Sequence, residues 1–232
     1  MKKVTLELGG NCPCLVFEDA DIPKALDGTI GLKFYNAGQC CNTINRFLVH
    51  HSIYDSFIDK FKRKVQKLTI GSGVRSQNLG PLINRAAKAK VDRLIAEAVK
   101  RGADVLLAPK KEKGLLCTPA ILAATPKKMQ IWHEEIFGPV AAFYSFKTEA
   151  EAIALANDTR YGLAAYLYTE NLARANRVSR ALQAGSVGIN TTNVWSITLP
   201  FGGWKESGIG RENGIVESLN EFCEIKAIST SS

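Results

Sequence analysis

Four short stretches of this chain gather residue types that can do covalent chemistry. Gly38-Gln39-Cys40-Cys41-Asn42 lies between a predicted helix and a predicted strand, on a loop. Loops held by a rigid scaffold are where reactive groups sit, and a thiol placed there can serve as a nucleophile once ionised. In Leu6-Glu7-Leu8-Gly9-Gly10 a carboxylate ends a short apolar run, and the glycines behind it let a ligand or another backbone come close. Such a carboxylate can take a proton from water. Glu134-Glu135-Ile136-Phe137-Gly138-Pro139-Val140 sets two acids and an aromatic beside a Gly-Pro turn. Pro200-Phe201-Gly202-Gly203-Trp204-Lys205-Glu206-Ser207-Gly208-Ile209-Gly210-Arg211-Glu212 has the glycine density of a loop pressed against a ligand or a subunit. Each stretch alone also reads as inert: a small buried cysteine, an exposed strand-end glutamate, a solvated acidic pair, a surface loop.

The elements that would position these groups alternate. Residues 4–8, 14–17, 47–49, 105–107, 140–146, 163–168 and 186–190 read as strands, with 105–107 buried. Asp21 can cap a helix running to about Tyr35, with Pro23 in its first turn. Ser52 can cap the next helix, whose Phe57, Ile58, Phe61, Val65 and Leu68 share a face. The clearest helix spans residues 84–101, with Val91, Leu94, Ile95, Ala98 and Val99 in one stripe and Gly102 as its stop. Helices over 149–157 and 172–182 follow, and 221–228 reads as a last strand. The expected fold is α/β, a mostly parallel sheet with helices on both faces.

Composition narrows the function classes. The chain has 232 residues, 46% hydrophobic and 22% charged, as a globular protein does. No apolar run approaches the roughly 20 residues of a membrane span, and the start turns acidic too soon for a signal peptide. The expectation is a cytoplasmic protein that binds neither membrane nor nucleic acid. The net charge of +8 comes from basic runs at residues 60–67 and 88–101 and at Lys110, Lys111 and Lys113. These fall on polar helix faces, where they are solvated, and no aromatic-and-basic nucleic-acid motif accompanies them. The six cysteines lack zinc spacing, so no metal is expected. No Gly-x-Gly-x-x-Gly joins a strand to a helix, so no dinucleotide-binding loop is visible.

Taken together and in order, the four stretches closely resemble the NAD(P)-dependent aldehyde dehydrogenase superfamily over nearly the whole chain. The matching residues are Glu7-Leu8-Gly9-Gly10, Asn36-Ala37-Gly38-Gln39-Cys40-Cys41, Glu134-Glu135-Ile136-Phe137-Gly138-Pro139, and Pro200-Phe201-Gly202-Gly203 with Lys205, Ser207-Gly208 and Gly210-Arg211. The resemblance implies a catalytic-domain fold of that type over residues 1–211, with 212–232 as an oligomerisation arm. It implies Cys41 as nucleophile, with Cys40 turned elsewhere, and Glu7 as general base. Glu135 would meet the nicotinamide ribose, and Phe137, Leu8 and Gly9 would border the nicotinamide of NAD or NADP. Tyr35, Asn42, Asn190, Trp195 and Phe201 would line the aldehyde pocket. The implied reaction passes from a thiohemiacetal to a thioester by hydride loss, then to a carboxylic acid with water. Backbone N–H at Cys41 would steady the oxyanion.

In this superfamily the cofactor domain and the side-chain amide of the oxyanion hole precede the Glu-Leu-Gly-Gly strand, and here six residues precede Glu7. The resemblance therefore implies a catalytic half that needs a separate cofactor-domain chain or a homo-oligomer, and that is inactive in oxidation alone. The alternative is a non-catalytic pseudoenzyme or interaction fragment of the same fold. Acylation of coenzyme A is disfavoured, since members with that activity usually lack the base. Members that oxidise succinic semialdehyde tend to carry arginine where Tyr35 stands. The aromatic mouth of Tyr35, Trp195 and Phe201 is expected instead to suit an apolar or quaternary ammonium aldehyde.

Overall fold

The computed structural model describes residues 2–72, 78–110, 112–123 and 128–231; of the basic residues named above, Lys111 lies outside them. The core is a seven-stranded sheet built from β2 (Cys12–Val16), β3 (Ile44–His50), β4 (Asp104–Leu107), β5 (Ala120–Ala123), β6 (Val140–Phe146), β8 (Ala164–Tyr168) and β9 (Ser186–Ile189). Its order is β4-β5-β6-β3-β2-β8-β9, and every pair is parallel except β4 with β5. The four remaining strands are two residues each: β1 (Leu6–Glu7) pairs with β11 (Gly208–Ile209), and β7 (Tyr161–Gly162) with β10 (Trp204–Lys205).

Seven helices complete the described chain: α1 (Ile22–Phe34), α2 (Tyr54–Val65), α3 (Arg85–Lys100), α4 (Gln130–His133), α5 (Glu149–Asn157), α6 (Leu172–Ala181) and α7 (Ile215–Phe222). Adjacent residues of β3 show that helices cover both faces, since side chains alternate along a strand. Phe47 packs edge-on against Phe61 of α2 at 5.2 Å. Arg46 points the other way and donates to the carbonyls of Leu155 and Ala156 in α5 and of Asn11. Its guanidinium also lies 4.8 Å from the Trp132 ring. Arg46 is wholly buried without a carboxylate partner, so it is held by carbonyl dipoles and an aromatic face. Arg46→Met keeps the bulk but takes the side-chain donor from the Asn11 and Ala156 carbonyls, while Leu155 keeps the Asp158 N–H. Unfolding in urea should show a loss of about 2 kcal/mol or more, at about 1 kcal/mol or more for each orphaned acceptor.

The helix caps follow local chemistry. Asp21 accepts from Lys24 N–H and Asn84 from Ala87 N–H, as expected of their types. Ser52 does not cap α2. Its hydroxyl pairs with His50 Nδ1 at 2.8 Å, and Ile53 takes the cap position without a side-chain bond. Residues 105–107 are not a buried strand: β4 is an edge strand, antiparallel to β5, with Asp104 and Val105 exposed. The connection before β6 contains β5 and α4, which the sequence left irregular. Residues 221–228 form no strand. The helix α7 takes 215–222, and Ile215, Val216, Leu219 and Phe222 are all exposed. A strand needs a ladder partner for its backbone groups, whereas a helix satisfies them within itself. Among the described residues no helix is long and apolar enough to cross a membrane.

Candidate active site

Just past α1 the backbone makes a left-handed turn, with φ of 48° at Asn36, 56° at Ala37 and 78° at Gly38. Two non-glycine residues in this region cost roughly 1–2 kcal/mol each, so other contacts must hold the turn. A side chain at Gly38 would lie 2.2 Å from the Gly138 carbonyl oxygen, so the stretch after α1 and the one before β6 touch through bare backbone. Gln39 Oε1 accepts from Ile83 N–H at 2.8 Å, and its amide donates to the Asn36 carbonyl at 3.1 Å. A second turn closes by Thr43 N–H to the Cys40 carbonyl, with Cys41 and Asn42 at its tip. Tyr166 of β8 donates its hydroxyl to the Asn42 carbonyl at 2.8 Å. On the other side Gly10 presses on the Cys41 carbonyl so closely that a Cβ would meet it at 2.4 Å. The thiol-bearing turn is thus fixed from α1, β8 and the segment leading into β2.

Glu7 is placed by the glycine-rich loop. It lies opposite Gly208 in the β1–β11 pair, and the next residue, Leu8, donates its N–H to the Ser207 carbonyl at 3.0 Å. Ser207 is fully buried; its hydroxyl donates to the Gly9 carbonyl at 2.7 Å and accepts from Gly162 N–H at 3.0 Å. The Glu7 carboxyl is half-buried, and that burial raises its pKa above the ordinary value. The negative charge of Glu212 raises it further, while Gly203 N–H and the Arg211 guanidinium oppose the shift. A carboxylate base gains proton affinity this way.

These two constructions meet at an open cavity of about 600 Å³. Its walls bring together Glu7, Cys41, Asn42, Tyr35, Trp195 and Phe201 of the residues singled out from sequence. Cys40 lines it as well and does not turn away, because its thiol is held by the Asn42 side chain, which lines the same cavity. The Cys40 thiol lies 3.0 Å from Asn42 Oδ1. A hydrogen bond from the Cys41 thiol draws Cys40 down to about 6, against the cost of burial and with help from the N–H groups of Asn42 and Cys41. The same hydrogen bond, followed by burial, pushes Cys41 up. The two thiols share a proton and titrate as a unit, the first ionisation being eased and the second hindered. Cys12 lies under it, its thiol 3.8 Å from the Cys41 carbonyl, and burial pushes that thiol up to about 12.

Leu8, Gly9, Glu135 and Phe137 are outside the cavity wall. Glu135 Oε1 accepts from Gly10 N–H at 3.0 Å, and its other oxygen faces Gly9. Burial raises its pKa, opposed by Gly10 N–H and Lys90. Phe137 is half-buried with φ of 53°, a left-handed conformation unfavourable to an aromatic residue. A half-buried carboxylate with an oxygen to spare beside glycine backbone could accept a further hydrogen bond, such as one from a sugar hydroxyl. Asn190 also stands apart from the cavity wall: its amide accepts from Thr169 N–H and donates to the Thr169 carbonyl at 3.0 and 2.9 Å. No metal-holding group of His, Cys, Asp or Glu occurs among the described residues.

Sequence reasoning missed Glu212. It lines the cavity, and its backbone exchanges two hydrogen bonds of 2.6 Å with Phe201. An acid at the end of the glycine-rich motif was the available signal. Thr192, Asn193 and Val194 also reach the wall, from a loop whose sequence carries no pattern.

Comparison with known proteins identifies the family and its fold. A profile of the aldehyde dehydrogenase family matches residues 1–228. The chain is 46% identical to a mitochondrial succinate-semialdehyde dehydrogenase of Oryza sativa subsp. japonica, over 98% of this chain and 44% of that protein. It is also 46% identical to a glutarate-semialdehyde dehydrogenase of Pseudomonas putida, over 100% of this chain and 48% of that protein. The crystal structure of an E. coli NADP-dependent enzyme superposes with a TM-score of 0.94 at 46% identity, covering 97% of this chain and 47% of that one. The chain spans about half the length of the curated relatives it matches. With its α/β sheet, its cavity carrying thiol and carboxylate, and these matches, the chain belongs to the aldehyde dehydrogenase family.

Proposed function

We propose that this chain is the acyl-transfer half of an enzyme that oxidises an aldehyde to a carboxylic acid with NAD or NADP. The observation that carries the reading is the shared cavity: the Cys40–Cys41 pair, on the turn before β3, and Glu7, on the segment before the adjacent parallel strand β2, both line it. In this reading the Cys41 sulfur attacks the carbonyl carbon, and its proton passes to the ionised partner in the pair. Cys41 N–H, which reaches the Cys40 sulfur in the free chain, would turn to the oxygen that becomes negative once the proton has moved to Cys40. Hydride acceptance is the chemistry the dinucleotide supplies when bound, and Glu135, Leu8, Gly9 and Phe137 are the residues of this chain that would border it. Glu7 takes a proton from water, and that water cleaves the thioester. All six cysteines are unpaired, which suits a reducing cytoplasmic compartment.

The substrate is the finer question. The relatives above are named for semialdehydes that carry a carboxylate, which favours that class. The wall contributed by this chain favours a neutral or cationic aldehyde: Tyr35, Trp195 and Phe201 are aromatic, Glu7 and Glu212 are acids, and no arginine is among the described lining residues. A second carboxylate would meet like charge there. We infer a neutral or cationic aldehyde. The test supplies a cofactor domain of the family as a second chain and measures NAD(P)H formation with succinic semialdehyde, an aliphatic aldehyde and betaine aldehyde. The expected result is turnover on the order of 1 per second or faster only with both chains, and a lower kcat/KM for succinic semialdehyde than for the other two. A clear preference for succinic semialdehyde would overturn the substrate inference, and turnover by this chain alone would overturn the half-enzyme reading. Absence of any turnover from the reconstituted pair would favour the non-catalytic alternative.

A further inference from the structure

The outer surface between α1 and α2 holds a second open cavity, of about 320 Å³. Six residues line it: Ile22, Pro23 and Leu26 from the first turns of α1, and Lys60, Arg63 and Lys64 from α2. The two helices meet because their buried faces share one core, with the Phe34 and Phe61 rings 6.2 Å apart. Leu26 is buried and Ile22 half-buried, while Pro23 and the three cations are exposed. Lys60, Arg63 and Lys64 are three and four residues apart, so they share one side of α2. That side is clear of the buried Phe57, Phe61 and Val65. The aliphatic stems of the cations extend the apolar wall, and their charged heads stay at its rim. Lys64 pairs with Asp27 of α1. Among the described residues no carboxylate pairs with Lys60 or Arg63.

We propose that this cavity is a binding site for an aliphatic monocarboxylate, with its chain on Ile22, Pro23 and Leu26 and its carboxylate between Lys60 and Arg63. The apolar residues alone would accept any hydrocarbon. The two unpaired cations select an anion by charge complementarity. Arg63 adds a planar fork whose two N–H donors match the two oxygens of a carboxylate. The charges around the rim limit the ligand to one negative charge. Lys24 and Lys67 add positive field, and Asp21, Asp27 and Asp59 oppose it. Asp21 caps α1 by accepting from Lys24 N–H at 3.0 Å. With Lys64 already paired, a second negative charge would meet Asp21 and Asp27 in place of a free cation.

The site stands apart from the active cavity but on the same helix. Ile22, Pro23 and Leu26 lie at the start of α1, and Leu32 near its end lines the active cavity, as does Tyr35 just beyond. Ile22 and Leu32 are roughly 15 Å apart along the helix axis, at about 1.5 Å per residue. An aliphatic carboxylate is also what oxidation of an aliphatic aldehyde yields. In that reading, which rests on the function proposed above, the site holds product that has left the active cavity. Binding needs no turnover, so the two fail separately: an inactive enzyme leaves the site standing, and an empty site leaves the oxidation reading standing.

The test titrates the whole chain with octanoate by calorimetry at low ionic strength, alongside acetate, octyl phosphate and octyltrimethylammonium. The expected result is saturable binding of octanoate at a single site. Acetate should bind roughly tenfold more weakly or worse, since each methylene moved onto apolar surface tightens binding by about fourfold. Arg63→Glu and Lys60→Glu should each weaken octanoate binding by roughly tenfold or more, the scale of one charge-assisted hydrogen bond. Both positions are exposed, and either variant serves if the other does not fold. Lys100→Glu makes the same change in net charge at an exposed position on α3 and should leave binding unchanged. Ile22→Asn should shrink the preference for octanoate over acetate. Octanoate bound as tightly by both cation variants as by the parent would overturn the proposal, because the ligand would then sit elsewhere. Equal binding of octyltrimethylammonium would overturn it by leaving only apolar contact. Tighter binding of octyl phosphate would overturn the carboxylate in favour of a phosphate-bearing lipid. No octanoate binding below its micelle concentration would overturn it outright.

Discussion

Cys41→Ser is expected to leave no acyl-enzyme when the chain is given an activated ester, with the acylation rate falling by roughly 10⁴–10⁶-fold, the scale on which acylating enzymes lose a nucleophile. The ester needs no hydride acceptor, so the probe reads this chain without a cofactor domain. A serine hydroxyl at this place has only a neighbouring thiol beside it, and a thiolate is too weak a base to ionise an alcohol. Cys40→Ser separates the two sulfurs. With the partner gone, Cys41 loses the shared proton and titrates as a single thiol, near 8.5 or above because it is half-buried. The midpoint of acylation against pH should then move up, because the eased first ionisation of the pair is lost. At about pH 9 the variant acylates as well as the parent, since a less acidic thiol is the better nucleophile once ionised. Rapid-mixing kinetics over pH, with mass spectrometry of the trapped acyl group, is the measurement. An acyl group found on Cys40, or normal acylation by Cys41→Ser, sinks the assignment. An unmoved pH midpoint in Cys40→Ser removes the shared proton.

Glu7→Gln should keep the acylation burst and lose turnover. The amide fills the same space opposite Gly208 but cannot accept a proton from water, so the thioester accumulates. The steady rate should fall by about 10²–10⁴-fold, the usual range for a general base, while burst amplitude stays near one per chain. Glu212→Gln tests the neighbour. The charge of Glu212 raises the Glu7 pKa, so its removal lowers that pKa. The base works when deprotonated, and the acid limb of turnover must therefore shift to lower pH. A weaker base also means a lower plateau. A shift to higher pH, or a burst lost together with turnover in Glu7→Gln, would contradict the placement of these two acids. The second outcome would mean that Glu7 acts in acylation.

Much of this was legible in the chain itself, for identifiable reasons. The stripe of Val91, Leu94, Ile95 and Ala98 is buried along α3 because an amphipathic period reports the core face directly. Val99, at the margin of that stripe, is 44% exposed. The parallel sheet could be inferred because β3, β6 and β8 are apolar runs alternating with helices. Edge elements were less legible. The strand β4 carries exposed Asp104 and Val105, and α7 has an apolar face left exposed among the described residues. Neither has an internal core to discipline its pattern, so sequence placed one as buried and the other as a strand.

The same division holds at the site. Sequence by itself determined which groups can react, because nucleophilicity and basicity belong to side-chain type: the thiols of Cys40 and Cys41, the carboxylates of Glu7 and Glu135, and the glycines that let backbones touch. Tertiary structure alone decided which of them share a space. Glu7 and Glu212 are far apart in the chain and meet only because β1 pairs with β11 and the glycine-rich loop folds back over it. Asn190 is close in sequence to Thr192 yet bonds Thr169 instead of reaching the cavity, because the end of β9 fixes its direction. Cys40 faces the cavity with Cys41 because its thiol is held by the Asn42 side chain, which lines the same cavity. Burial and neighbouring charge then set the proton affinities of Glu7 and of the thiol pair, and these fields arise from residues brought together across the fold.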